Sequence, residues 1–153
     1  IFIGVREDLG FEPSHPVAES AGITVKEATA GTPKYQVEFP DYSTKFGQCC
    51  MKLKPKQNGE DLFGKNWGFQ LIRLDWNQIA PTISKGGGAT GFIHPGENRK
   101  VSGGELRRLA SFPDNFCFVG NRTDTQDRIG NSVPPLFMRS IATHIRKSIL
   151  ETP

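Results

Sequence analysis

The sequence predicts a small α+β domain, a twisted β-sheet of short strands set among short helices and loops. Glycine (17) and proline (11) punctuate the chain, which favours many short elements over long regular ones. With a modest hydrophobic fraction of 36%, this richness in turns argues against a helical bundle. The apolar spacing also changes along the chain, from helical periods around Phe46 and Leu106 to short β-like runs between Phe69 and Ser84. At 153 residues there is room for one main hydrophobic core.

The elements follow in order. Ile1 to Val5, apolar on both faces, reads as a strand buried inside a sheet, and Phe11 to Pro16 reads as a connector between domains. Thr24-Val25-Lys26-Glu27 has capping-box spacing and starts a short helix that ends before Gly31 and Pro33. Phe46, Cys49, Cys50 and Leu53 repeat at helical spacing from a Ser43 or Thr44 cap, and Pro55 stops that helix. Phe69 to Leu74 and Ile79 to Ser84 read as strands, followed by the loop Lys85-Gly86-Gly87-Gly88. Glycine lets another backbone approach closely, so this loop suits contact with a polyanion, although a flexible hairpin tip reads the same way. Ser102-Gly103-Gly104-Glu105 opens another capped helix with Leu106, Leu109 and Ala110 inward, and Arg107 and Arg108 cannot both be buried on it. The final helix has Pro134 and Pro135 in its first turn, after an N-cap at Asn131 or Ser132. Its stripe of Phe137, Met138, Ile141, Ala142, Ile145 and Ile149 is expected to pack against something large.

Charge is distributed unevenly. Residues 1–44 carry three basic and seven acidic side chains, whereas residues 45–108 carry eleven basic and five acidic ones. The basic stretch holds Asn66, Trp67 and Gln70 among glycines. That mixture suits phosphate contact by Lys and Arg with base reading by amides, and an ordinary solvated surface can look alike. Cys49, Cys50 and Cys117 form no CxxC pair and no even set, so the thiols read as reduced and the chain as cytoplasmic. At least one of Cys49 and Cys50 reads as a small buried hydrophobe. No apolar run approaches the roughly 20 residues of a bilayer span. His15, His94 and His144 lack metal-ligand spacing, so no metal site is expected. The opening at Ile1, without Met, reads as the interior of a longer protein.

Three blocks, Ile3 to Arg6, Arg99 to Asp114 and Gly130 to Pro135, together resemble the C-terminal portion of DNA cytosine-C5 methyltransferases. Ile3-Gly4-Val5-Arg6 resembles the end of the family's eighth motif. Arg99-Lys-Val-Ser102-Gly-Gly-Glu105-Leu-Arg-Arg108-Leu-Ala-Ser-Phe112-Pro113-Asp114 resembles the ninth. Gly130-Asn131-Ser132-Val133-Pro134-Pro135, followed by Ile141-Ala142, resembles the tenth. Between them, Arg73 to Ser84, with the pair Thr82-Ile83, is similar to the conserved end of the variable target-recognition region. The departures are Gly104 where arginine is common, Ala110 where glutamine is common, and Arg128 where glutamine often precedes Ile-Gly-Asn.

The resemblance divides the chain into the end of the cofactor domain (residues 1–10), a target-recognition domain (11–129) and a C-terminal helix that returns to a Rossmann-like catalytic domain (130–153). In that family a thiolate after proline attacks C6 of a flipped cytosine, and S-adenosylmethionine methylates C5. No cysteine here follows a proline, and the glycine-rich cofactor loop and the Glu-Asn-Val motif are absent. No catalytic residue is therefore expected in this chain, and it is expected to be inactive alone. What the resemblance implies instead is duplex DNA as partner. The DNA-binding candidates are Lys65, Asn66, Gln70 and Arg73 on one loop and Thr82, Ser84, Lys85, Gly86 and Gly87 on another. Asn131 and Ser132 are expected to line the methionine end of a cofactor pocket built mainly by the missing domain, in cis or in a separate subunit. Trp67 and Phe69 read as core or lid residues ahead of wedges, Trp76 as packing, and His144 as a surface or boundary residue. Without the large domain, the apolar stripe and the opening strand are expected to drive self-association. A stand-alone DNA-binding module and a degenerate interaction domain are the rival readings.

Overall fold

A computed structural model describes residues 1–18, 22–33, 35–68, 70–86 and 91–151. The chain divides into two compact units, residues 22–132, and residues 1–21 together with 133–153. The larger unit contains α1 (Val25–Thr29), α2 (Lys45–Lys52), α3 (Glu60–Phe63), β1 (Leu71–Arg73), β2 (Gly91–Ile93), α4 (Gly103–Leu109) and α5 (Arg122–Gly130). Side-chain caps set the starts of α1, α2, α4 and α5. Thr24 with Glu27, and Ser102 with Glu105, form the two expected capping boxes, and Thr44 rather than Ser43 caps α2 by accepting the Gly47 N–H. α5 was not anticipated. Asn121 and Asp124 cap it reciprocally, and its buried residues Arg122, Thr125 and Gln126 are polar, so no apolar stripe announces it.

The sheet is a parallel pair in which Leu71, Ile72 and Arg73 lie opposite Gly91, Phe92 and Ile93. Single antiparallel bridges, Asn58 to Ile72 and Ile93 to Lys100, extend it on either side. Because side chains alternate along a strand, the sheet serves two cores. Leu71 and Ile93 pack with Cys49, Cys50 and Leu53 of the α2 region. Phe92 and Leu74 pack with Val25, Val101, Leu106, Ala110, Phe118 and Ile129. Cys49 and Cys50 are both fully buried, and burial pushes the Cys50 thiol up to about 11. Phe63 meets Trp67 edge-on at 4.8 Å beside the α2 core, and Trp76 packs against the other core, which are the packing roles expected of both tryptophans.

Two strand expectations are corrected. The Phe69–Leu74 run pairs only over Leu71–Arg73, with Phe69 outside the described residues. Ile79–Ser84 forms no ladder; Ala80 and Ile83 instead lie against the core by their side chains. Two departures from the family pattern have local causes. A Cβ on Gly104 would fall 2.8 Å from the Pro33 carbonyl oxygen, so no larger residue fits, and Ala110 is 3% exposed within the core.

In the smaller unit α6 (Pro135–Ile145) starts at Pro134 without a side-chain cap and continues into one π-helical turn, Arg146–Leu150. The N-cap expected at Asn131 or Ser132 is absent because Asn131 closes α5 instead. Ile141 is buried, while Leu136, Phe137 and Met138 are exposed. His144 and Ser14 share a hydrogen bond of 2.8 Å. The strand expected at Ile1–Val5 is not formed. Phe2 is fully exposed, no paired backbone accompanies it, and a 3-10 turn follows at Glu7–Leu9. Among the described residues no helix is long and apolar enough to cross a membrane, and no group of His, Cys, Asp and Glu is placed to hold a metal ion.

A buried ion network ties the β2 region to α4. Arg99 donates to both Glu105 oxygens at 2.9 and 3.0 Å and to both Glu97 oxygens at 2.8 and 3.1 Å. Burial works against the Glu105 carboxylate, but Arg99 and the Ser102 N–H more than offset it and hold its pKa down. Burial, with Arg99 nearby, likewise depresses His94. The Gly96 N–H donates to His94 Nδ1, which leaves Nε2 facing Glu105 at 3.4 Å and Glu97 at 3.7 Å. In each case the folded state binds protons less readily than the unfolded chain, so acid destabilises. Thermal stability should fall as pH drops below His94's ordinary 6.5, and again below the ordinary carboxylate value of 4.5. Melting temperatures across this range, compared with those of His94→Gln, check the first step, which that variant should flatten.

Candidate nucleic-acid interface

Five of the expected site residues, Gln70, Thr82, Ser84, Lys85 and Gly86, lie at or beside the segment 82–86, which runs over α5. Gln126 is 2% exposed, and its amide nitrogen donates to the Ser84 carbonyl at 3.4 Å and to the Gly86 carbonyl at 3.2 Å. Asp127 Oδ1 accepts the Gly86 N–H at 3.1 Å. Gly130, the last residue of α5, lies so close beneath the segment that a Cβ would sit 2.3 Å from the Lys85 nitrogen. The segment is thus fixed through its backbone. Its side chains remain accessible, with Thr82 and Lys85 exposed and Ser84 half-buried.

Beside it lies a cavity of about 340 Å³, with Ile72, Ile83, Phe92 and Leu106 as apolar lining. Gln70, Thr82 and Ser84, all expected site residues, line it together with Asn58 and Gln126. Ser84 Oγ and Gln70 Oε1 are 3.4 Å apart. Asn58, Gln126 and Asp127 went unnoticed in the sequence, and the Asn121–Asp124 capping pair was the available signal for the helix carrying two of them. Lys65 and Asn66 occupy a separate exposed turn after α3, where Asn66 adopts φ 69° and its N–H donates to Glu60 at 2.7 Å. Gly87 lies outside the described residues.

Arg73 is a correction. Expected to face DNA, it is 5% exposed, and its guanidinium donates to the carbonyls of Cys50, His94 and Glu97 and to the Asn98 side chain. Burial lowers its pKa, and the surrounding carbonyls occupy both terminal nitrogens of the guanidinium. The other arginines of the basic stretch are also engaged within the protein. Arg99 binds Glu97 and Glu105, Arg107 binds the Phe116 carbonyl and Asp114, and Arg108 binds Asp114 and the Ala30 carbonyl. The exposed cations of this stretch are lysines 45, 52, 54, 56, 65 and 85. Lysine is a point charge suited to phosphate, without the planar fork that reads guanine. The accessible set therefore offers amides and hydroxyls for hydrogen bonding and ammonium groups for anions.

Asn131 is exposed at the C-cap of α5, and Ser132 Oγ donates to the Ile129 carbonyl at 2.7 Å. The Ser132 oxygen keeps its acceptor capacity.

The family of C-5 cytosine-specific DNA methylases matches residues 17–147. The type II methyltransferase M.NgoFVII of Neisseria gonorrhoeae is 42% identical, over 95% of this chain and 44% of its own. A Methanocaldococcus jannaschii protein described as the type II methyltransferase M.MJ0563P is 35% identical, over 83% of this chain and 41% of its own. This chain thus spans about two-fifths of the length of those relatives. The crystal structure of a prophage-encoded E. coli protein, described as a DNA modification methyltransferase, superposes with a TM-score of 0.70 at 19% identity, covering 96% of this chain and 54% of that one. That likeness is one of fold. With a family match running through most of its length, this chain belongs to the C-5 cytosine-specific DNA methylase family.

Proposed function

We propose that this chain is the DNA-recognition portion of a restriction-modification type DNA (cytosine-5)-methyltransferase, which transfers a methyl group from S-adenosylmethionine to C5 of cytosine in a specific duplex sequence. The observation that carries the reading is the backbone-fixed segment 82–86, which leaves Thr82, Ser84 and Lys85 accessible next to Gln70, in a chain of this family. Lys65, Asn66, Lys85 and the Gly86–Gly87 backbone are assigned to phosphates and groove edges, and Gln70, Thr82 and Ser84 to hydrogen bonds on the duplex. Arg73 is left out of this set.

The nucleophile comes from elsewhere. No cysteine follows a proline, and Cys49 and Cys50 are buried with raised pKa values, so neither offers an accessible thiolate. S-adenosylmethionine, when bound, supplies the methyl group. The Asn131 amide and Ser132 hydroxyl would hold its amino-acid end, and a catalytic domain contacting residues 1–10 and 130–153 would hold the rest.

Two measurements on the isolated chain follow. Fluorescence anisotropy with duplex DNA should give an affinity that falls steeply with salt, and Lys85→Ala should reduce the log–log slope by about one, the share of one phosphate contact. An unchanged slope removes Lys85 from the interface. With Phe2, Leu136, Phe137 and Met138 exposed, light scattering should show self-association that rises with concentration. A monodisperse monomer would contradict that expectation.

A further inference from the structure

We propose that Gln126 and Asp127, which lie outside both DNA-facing loops, are positioning residues for sequence discrimination: they set the pose of segment 82–86 and thereby which base edges Thr82 and Ser84 can reach. The proposal rests on the reading of that segment as DNA-facing.

The geometry forms a directed chain. Arg122 is 2% exposed; its Nε donates to the Val101 carbonyl at 2.6 Å and one terminal nitrogen donates to Gln126 Oε1 at 3.2 Å. A guanidinium can only donate, so the oxygen end of the Gln126 amide is fixed toward Arg122. Its nitrogen end must then face the Ser84 and Gly86 carbonyls. Asp127 takes the Gly86 N–H, so both backbone groups of Gly86 are held by adjacent residues of α5. All these contacts go to backbone atoms of the segment, and none uses the side chains of Thr82, Ser84 or Lys85. They therefore define position without using the reading groups, of which the Ser84 hydroxyl donates to Gln70 Oε1 at 3.4 Å. Hydrogen-bond readout weakens steeply with misalignment, so a small shift of this backbone would change selectivity without changing any residue that touches DNA.

The test uses the complete methyltransferase that contains this chain, with its target first mapped by bisulfite sequencing. The steady-state kcat and KM are measured on cognate duplexes and on duplexes with one base pair altered, alongside melting temperature. Gln126→Glu keeps the Arg122 contact and turns a carboxylate oxygen against two carbonyls. Asp127→Ala removes the acceptor, and Asp127→Asn restores one. Gln126→Glu and Asp127→Ala should lower the cognate to near-cognate ratio of kcat/KM roughly tenfold or more, beyond any fall in melting temperature, with Asp127→Asn close to wild type in both. If Ser84→Ala and Lys85→Ala weaken DNA binding while the ratio stays at wild type in Gln126→Glu and Asp127→Ala, the positioning role is overturned. A loss that falls equally on both duplexes and follows a lowered melting temperature overturns it too, as mere structure. If the Ser84 and Lys85 variants leave DNA binding unaltered, the DNA-facing reading itself fails, and this inference with it.

Discussion

Arg99→Ala is expected to destabilise the fold by roughly 3–5 kcal/mol, the usual range when one partner of a buried ion pair is removed. Arg99 is 5% and Glu105 8% exposed, and their contact is bidentate. Burial opposes the Arg99 charge, and its hydrogen bonds to Glu105 and Glu97 more than compensate, so its pKa is raised. Without the guanidinium, the Glu105 carboxylate stays buried with only the Ser102 N–H and a neutral His94 beside it. Glu105 is also the return arm of the α4 capping box, so disorder there would loosen the helix start. Glu105→Gln keeps that arm and removes the charge. The double variant Arg99→Ala with Glu105→Gln should therefore lose clearly less than the sum of the single losses, as urea unfolding of the wild type, the two single variants and the double would show. Additive losses would mean that the two residues act independently.

Gly130→Ala is expected to abolish most specific DNA binding while leaving α1 to α4 folded. Alanine is the better helix former by about 1 kcal/mol, so propensity alone favours the change. The added methyl, however, would meet the Lys85 nitrogen at 2.3 Å and the Lys85 Cα at 2.9 Å. These are backbone atoms that cannot rotate away, so segment 82–86 must lift from α5 and give up the Gln126 and Asp127 contacts. Losing those bonds, at about 1 kcal/mol each, together with the pose they define, should weaken duplex affinity by more than tenfold. Anisotropy binding paired with circular dichroism checks this. Wild-type affinity in the variant would show that the segment's pose is irrelevant to DNA.

Two of the three helices that open on a capping box, α1 and α4, were legible. A capping box is a local device whose signal sits within four residues, and an apolar stripe follows it in both. Thr24–Glu27 and Ser102–Glu105 formed as read. Strands were less legible. Ile1–Val5 and Ile79–Ser84 carry β-type residues, but a strand exists only where a second backbone pairs with it, and neither segment has that partner here. α5 was invisible to hydrophobic periodicity because it buries Arg122, Thr125 and Gln126, and their burial is tolerable only through bonds to distant atoms such as the Val101, Ser84 and Gly86 carbonyls and the Gln36 side chain. The same limit governed Arg73. Its basic character was plain, but the convergence of carbonyls from Cys50, His94 and Glu97 around it is a product of the tertiary fold. Gln70, Thr82 and Ser84, read from the sequence on two separate loops, line one cavity that no spacing rule describes.

The central claim is best tested by bisulfite sequencing of DNA from a host lacking cytosine methylation. The host would express either the complete open reading frame that contains this sequence or the 153-residue chain alone. Methylation at C5 within one short motif by the complete protein, with none from the chain alone, is the predicted result. A folded complete protein that leaves every cytosine unmodified would contradict the account and favour a DNA-binding module without methyl transfer.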